Sequence, residues 1–197
     1  SSLTSLQKAI AIEPIKIRNY YTKQYYANLF VGAEKQEFSV IIDTGSNILW
    51  LPSSNCTSCR NYTTKYNEAI SSTGHLLNKT LNITYGKGFV EGDLFADDIY
   101  IAENFGVKNM SFLSVDKELE LDGTISDGLL GLGIYFEHNK NFSFINGLYE
   151  QKLINRPAFT FYLTDSTFSN RLYIGDIKEN TQLSNFWAQA QSCQVNN

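Results

Sequence analysis

A single acid interrupts an apolar run: Val40-Ile41-Ile42-Asp43-Thr44-Gly45-Ser46-Asn47-Ile48-Leu49-Trp50. A β-branched approach, a carboxylate, a hydroxyl and a glycine, then a second apolar stretch, spell strand, tight turn, strand. A carboxylate between two buried strands costs desolvation free energy unless it is hydrogen-bonded or shares a proton. Two readings meet that condition. In one, Asp43 caps its own backbone in an Asx-type turn and Gly45 supplies the left-handed φ. In the other, Asp43 is a catalytic aspartate held rigidly at the bottom of a cleft. Other reactive side chains are sparse. Cys56 and Cys59 form a C-x-x-C in a polar loop, Cys193 stands alone near the end, and the histidines are His75 and His138. A zinc site needs a second ligand pair, and His75, His138 and Cys193 are widely scattered. A redox pair belongs ahead of a helix in a βαβ unit, whereas the flanks here are Asn-rich and turn-like. A small structural disulfide closing a surface loop is the favoured reading, and it leaves Cys193 odd, as in a chain with a missing partner or a truncation.

The elements that position these groups are strands. The chain has 197 residues with 43% hydrophobic and 18% charged content. That suits one large domain or two small ones burying roughly 70% of the unfolded surface. Thirteen Phe and twelve Tyr against one Met point to aromatic-rich β structure. Net charge is -4 and the pI is about 5.2. No Lys/Arg cluster exceeds a pair, which argues against a nucleic-acid partner. No run approaches the ~20 apolar residues of a membrane-spanning helix. Six Asn-X-Ser/Thr sequons, at Asn55, Asn61, Asn78, Asn82, Asn109 and Asn141, suggest passage through a secretory pathway.

Short strands are expected over Glu13–Tyr21, Tyr25–Gly32 and Phe38–Ile42, with a turn at residues 33–36. Leu51 to Thr64 is polar and reads as an exposed loop. Leu81 to Leu94 alternates apolar and polar residues around Tyr85-Gly86-Lys87-Gly88, a β-hairpin with a flexible tip. Strands follow at residues 99–101 and 110–115, then an acidic loop at residues 116–122. Gly128-Leu129-Leu130-Gly131-Leu132-Gly133 reads as a buried strand whose glycines permit close backbone approach. A phosphate-binding loop would need a helix start and a Lys. Phe144 to Ile154 is the convincing amphipathic helix, stopped ahead of Pro157. Residues 159–163 and 172–175 read as strands again.

Taken in order, these stretches resemble the pepsin-like aspartic proteases. Asn19-Tyr20 with Gln24-Tyr25-Tyr26 resembles their N-terminal strand, and Asp43-Thr44-Gly45-Ser46 with Leu49-Trp50 their first active-site turn. Cys56 and Cys59 fall where many members carry a small disulfide loop. Ile83-Thr84-Tyr85-Gly86-Lys87-Gly88 resembles the flap, and Asp127 to Gly133 the stretch beneath the active-site loop. The resemblance implies an all-β lobe of orthogonally packed sheets with a short helix, one lobe of a bilobal fold. On that basis residues 1–12 are a leader or prosegment remnant, 13–180 the N-terminal lobe, and 181–197 the start of the inter-lobe or second-lobe segment.

The same resemblance implies roles. Asp43 is one of two carboxylates that activate a water against a peptide bond, with no metal or cofactor. Thr44, Gly45, Ser46 and Trp50 support it; Thr44 locks the halves together, Gly45 brings its N–H to the carboxylate, and Ser46 hydrogen-bonds around it. Tyr85, Gly86, Lys87 and Gly88 form the flap, with the Tyr85 hydroxyl meeting the Trp50 indole N–H and Lys87 favouring acidic substrate side chains. Leu129, Leu130 and Gly131 form the floor. One element of the family is absent: no second Asp-Thr/Ser-Gly occurs in the chain. The expected partners are therefore a peptide or protein substrate and a second protease lobe, from the same gene or another chain. A catalytically silent peptide-binding lobe or regulator, and a homodimeric protease, are the alternatives. The implied location is secreted or lysosomal/vacuolar.

Overall fold

The computed structural model describes residues 13–175, apart from residues 22, 87, 120, 122, 123, 135 and 136. The two terminal segments, Cys193 and Lys87 lie outside the described residues, as do the side chains of residues 137–139.

Alternation sets the first three strands. In β1 (Ile15–Tyr20), Ile15, Ile17 and Asn19 point inward; in β2 (Gln24–Val31), Ala27, Leu29 and Val31 do so; in β3 (Gln36–Asp43), Phe38, Val40 and Ile42. A period of two places each set on one face of a pleated strand. Leu29, Val31 and Val40 are fully buried, and each such side chain removed from water contributes about 1.5–3 kcal/mol. After β4 (Leu49–Pro52) come two long arms, β5 (His75–Tyr85) paired with β6 (Gly88–Ala102), and β6 paired with β7 (Phe105–Leu119). Next are β8 (Gly128–Gly131), the helix α1 (Phe144–Glu150), β9 (Phe159–Tyr162) and β10 (Asn170–Ile174).

The strands form one sheet in the order β5-β6-β7-β4-β8-β3-β2-β1-β10-β9, and a further β6–β2 pairing curls it back on itself. This closes β6, β7, β4, β8, β3 and β2 into a ring, leaving β5 on β6 and the run β1, β10 and β9 on β2 as extensions. The all-β fold expected from the sequence is the fold observed. Two cores fill it. The larger packs Ile17, Leu29, Phe38, Phe112 and Leu130 against the Phe144 and Leu148 face of α1. The smaller gathers Ile48, Trp50, Val90, Leu113 and Val115 around the disulfide, with Tyr85 and Leu129 at its margin. No described helix is long and apolar enough to cross a membrane.

Four expectations need adjustment. The helix ends at Glu150, not Ile154: Ser143 caps its start by accepting from the Asn146 N–H at 3.2 Å, and the chain turns at Gln151 and Lys152, where Lys152 takes a left-handed φ of 59°. Residues 116–119 belong to β7 and not to an acidic loop, since Lys117 and Glu118 pair with Glu91 and Val90 across the sheet. β5 begins at His75, well before the expected hairpin at Leu81. Its alternation is hard to read because it is an edge strand with most residues exposed. Finally, the loop after β4 is not simply exposed: Ser53, Cys56, Cys59, Thr63 and Tyr66 are all buried.

Candidate active site

Asp43 ends β3, and the strand that leaves its turn, β4, does not pair with β3. β8 inserts between them, parallel to β3 with Asp43 opposite Gly131, and antiparallel to β4 with Leu130 opposite Leu49. The backbone then closes around the acid. Leu132 N–H donates to the Asp43 carbonyl at 2.7 Å, Gly131 N–H to the Ile48 carbonyl at 3.0 Å, and Gly133 N–H to the Ser46 carbonyl at 2.7 Å. This clamp demands glycine. A Cβ at Gly131 would stand 2.5 Å from Ile48 N, and one at Gly128 would stand 2.2 Å from the Trp50 carbonyl oxygen. Strands that approach this closely leave no room for a methyl group.

The Asp43 side chain is half-buried, and its Oδ1 accepts from the Gly45 N–H at 2.9 Å. The contact is the Asx-type turn bond of the first reading, but Gly45 does not take the left-handed φ expected of it, so its N–H reaches the carboxylate from an ordinary backbone conformation. Its Oδ2 accepts no hydrogen bond among the described residues. Thr44 is exposed. Ser46 Oγ is buried and makes no hydrogen bond among the described residues, so the expected bond around Asp43 is not formed in this conformation.

The hairpin of β5 and β6, the expected flap, carries Tyr85 to the Trp50 side of the site. Burial pushes the Tyr85 hydroxyl up to about 12; the Trp50 indole acts in the opposite sense and the Asp43 charge adds to the rise. Tyr85 Oη and Trp50 Nε1 thus approach one another, yet neither closes a hydrogen bond of good geometry. A Cβ at Gly86 would meet nothing within 4 Å, so the tip is open around that residue.

A pocket of about 160 Å³ lies between β3, β4 and the flap, lined by Ile41, Trp50, Tyr85, Leu121, Thr124 and Leu129. Ile41 and Asp43 share a face of β3, so the pocket lies on the carboxylate's side. Its walls are apolar and suit an apolar side chain. Leu130, by contrast, is fully buried in the larger core. Among the described residues, no cluster of three or more His, Cys, Asp or Glu could hold a metal ion.

Several supporting residues carried no individual role in the sequence reading. Asp127 precedes β8 and ties it to two other segments: its Oδ2 accepts from the Ser39 N–H at 2.7 Å and its Oδ1 from the Thr64 N–H at 2.6 Å. The Cys56–Cys59 disulfide is formed. Behind it Arg60 makes an ion pair with Glu118 at 2.8 Å. Asp97, fully buried, accepts from the hydroxyls of Tyr66 at 2.9 Å and of Ser71 and Thr73 at 2.6 Å. Asp127 was legible as the first residue of the Asp-Gly stretch, but its partners lie far off in sequence. Arg60 and Asp97 had no local signature at all. All six sequon asparagines are exposed.

The sequence comparisons agree with this geometry. The family model described as eukaryotic aspartyl protease matches residues 24–196. The chain is 36% identical over 154 residues to pregnancy-associated glycoprotein 1 of Bos taurus, covering 75% of this chain and 39% of that protein. It is 31% identical over 176 residues to vacuolar protease A of Neurospora crassa, covering 84% and 43%. Aspartic proteinase A1 of Arabidopsis thaliana is 32% identical over 175 residues, covering 84% and 34%. The chain thus spans less than half the length of these curated relatives.

Proposed function

This chain belongs to the eukaryotic aspartyl protease family, and on that premise we propose that Asp43 is one half of a carboxylate dyad in an aspartic endopeptidase. The other half comes from a second lobe outside residues 1–197. The observation that carries this reading is the clamp of β8 between β3 and β4, in which three backbone hydrogen bonds to the carbonyls of Asp43, Ser46 and Ile48 fix the turn that presents one half-buried carboxylate. A structural turn acid would not need that enclosure.

Two carboxylates facing each other at short range cannot both ionise, so they share a proton. The ionised member takes a proton from a water as that water attacks the peptide carbonyl, and the protonated member donates to the carbonyl oxygen. Breakdown returns a proton to the leaving amine. Thr44, exposed at the turn, meets the second lobe. Tyr85 remains a neutral phenol at any acid pH and closes over the substrate with the flap, excluding water. The apolar pocket takes a bulky apolar side chain next to the scissile bond, and Lys87 favours acidic substrate side chains. The six exposed sequon asparagines carry glycans, in a secreted or vacuolar protein working in an acidic compartment.

The two-lobed protein is expected to cleave apolar peptides at acid pH, and Asp43→Ala to lower kcat by about 10²–10⁴-fold, the scale of a lost general base. Steady-state cleavage assays check this, and unchanged cleavage by Asp43→Ala removes Asp43 from the mechanism. A two-lobed protein that binds apolar peptides without cleaving them instead identifies a silent peptide-binding lobe.

A further inference from the structure

The disulfide loop reaches the apolar pocket chiefly through Arg60. Arg60 directly follows Cys59, and its side chain is 11% exposed against 4% for its partner Glu118 on β7. The contact is an ion pair whose Nε–H is not aligned as a hydrogen bond. The rest of the guanidinium points elsewhere. Nη1 donates to the Thr124 carbonyl at 2.7 Å and also to the Thr124 hydroxyl, and Nη2 donates to the Ser126 carbonyl at 3.1 Å. The Thr124 hydroxyl in turn donates to the Leu121 carbonyl at 3.1 Å. Leu121, Thr124 and Ser126 all line the pocket beside Trp50 and Tyr85.

We infer that Arg60 is a positioning residue that fixes the wall of this pocket and so sets how large a side chain the cleft accepts, an inference that rests on the proteolytic reading above for its functional meaning. The physical grounds are the fork geometry and the anchoring. A guanidinium offers several donors in a rigid plane, so one side chain can hold two carbonyls and a hydroxyl at once. It is itself tethered twice, by the neighbouring disulfide and by Glu118. Ser58 from the same loop accepts from the Glu118 N–H at 3.0 Å, and the Tyr62 hydroxyl donates to the Thr124 carbonyl at 3.3 Å. The loop of residues 56–62 therefore bridges β7 and the pocket wall. A lysine keeps the charge for Glu118 but presents a single ammonium, which cannot span Thr124 and Ser126 together.

The test uses the two-lobed protein with Arg60→Lys and, so that the result does not hang on the ion pair with Glu118, the double variant Arg60→Met/Glu118→Met. Blocked pentapeptides with a central Phe or a central Ala serve as substrates and as ligands. Binding is read from quenching of tryptophan fluorescence, so it does not depend on cleavage. In folded variants the Phe-over-Ala preference is expected to fall about tenfold, the range in which pockets discriminate apolar side chains. The change is expected in KM and in the dissociation constant, with kcat altered less than twofold. An unchanged Phe-over-Ala binding ratio in both folded variants overturns the proposal. If the parent protein binds with that preference but cleaves neither peptide, the protease reading fails and the binding ratio still decides the role of Arg60.

Discussion

Asp43 owes its position to main-chain atoms, and Tyr85 owes its chemistry to where the flap places it. Burial is the main cause of the rise of the Tyr85 hydroxyl from its ordinary 10.0 to about 12, opposed by the Trp50 indole and reinforced by the Asp43 charge. The fold therefore favours the neutral phenol. A group whose folded pKa is raised contributes stability that is complete below the unfolded value and is lost as pH climbs through the folded one. The packing of the flap on Trp50 is expected to hold up to about pH 10 and to weaken between there and about pH 12. Tyr85→Phe is expected to abolish that alkaline transition. Trp187, the other tryptophan of the chain, lies outside the described residues, so Trp50 fluorescence in a Trp187→Phe background reads the transition directly, and identical alkaline curves for the two proteins would separate the flap from the ionisation of Tyr85.

At the scale of elements, the loop between β4 and β5 does more than connect. Cys56 and Cys59 are 2% and 3% exposed and pack in the same small core as Trp50 and Val115. Their bridge closes a very short loop, with a sequence separation of 3. Chain entropy then assigns it about 2 kcal/mol, near the low end for disulfides. Cys56→Ser/Cys59→Ser is expected to lower unfolding stability by about that amount, since the lost constraint acts on the unfolded chain. Urea denaturation measures it. A negligible loss would mean that Arg60 and the hydrogen bonds around it hold the loop by themselves. The polar composition of this loop concealed its burial, because its buried members are anchored by partners on β7 and beyond. The strand-turn-strand around Asp43 was legible, whereas the insertion of β8 between its arms is a contact between residues far apart in sequence.

Across the whole molecule, apolar side chains remain on the surface. Ile134 is 74% exposed and Phe168 73%. Ile134 adjoins the active-site turn, where its carbonyl accepts from Asn47 Nδ2 at 3.4 Å. Each such side chain leaves apolar area in water that association with another body would remove. The 197-residue chain is expected to self-associate at micromolar concentration, and Ile134→Ser/Phe168→Ser to shift it toward monomer. Sedimentation velocity distinguishes these outcomes; a monomer at every concentration would show that the exposed side chains do not drive association.

The sequence by itself determined what is local. Period-two alternation marked β1 to β3, the order of acid, hydroxyl and glycine marked the turn at Asp43, and the glycines of residues 128–133 marked a strand under close approach. Each is a property of neighbouring residues, because steric and hydrophobic preferences act along a few positions of chain. Only the tertiary structure decided the rest. β8 runs between β3 and β4, Asp127 joins Ser39 to Thr64, and Arg60 reaches Glu118, Thr124 and Ser126 across the molecule. Such contacts leave no local pattern, since a buried charge is satisfied by whatever partner the closed sheet brings within reach, at any separation in sequence.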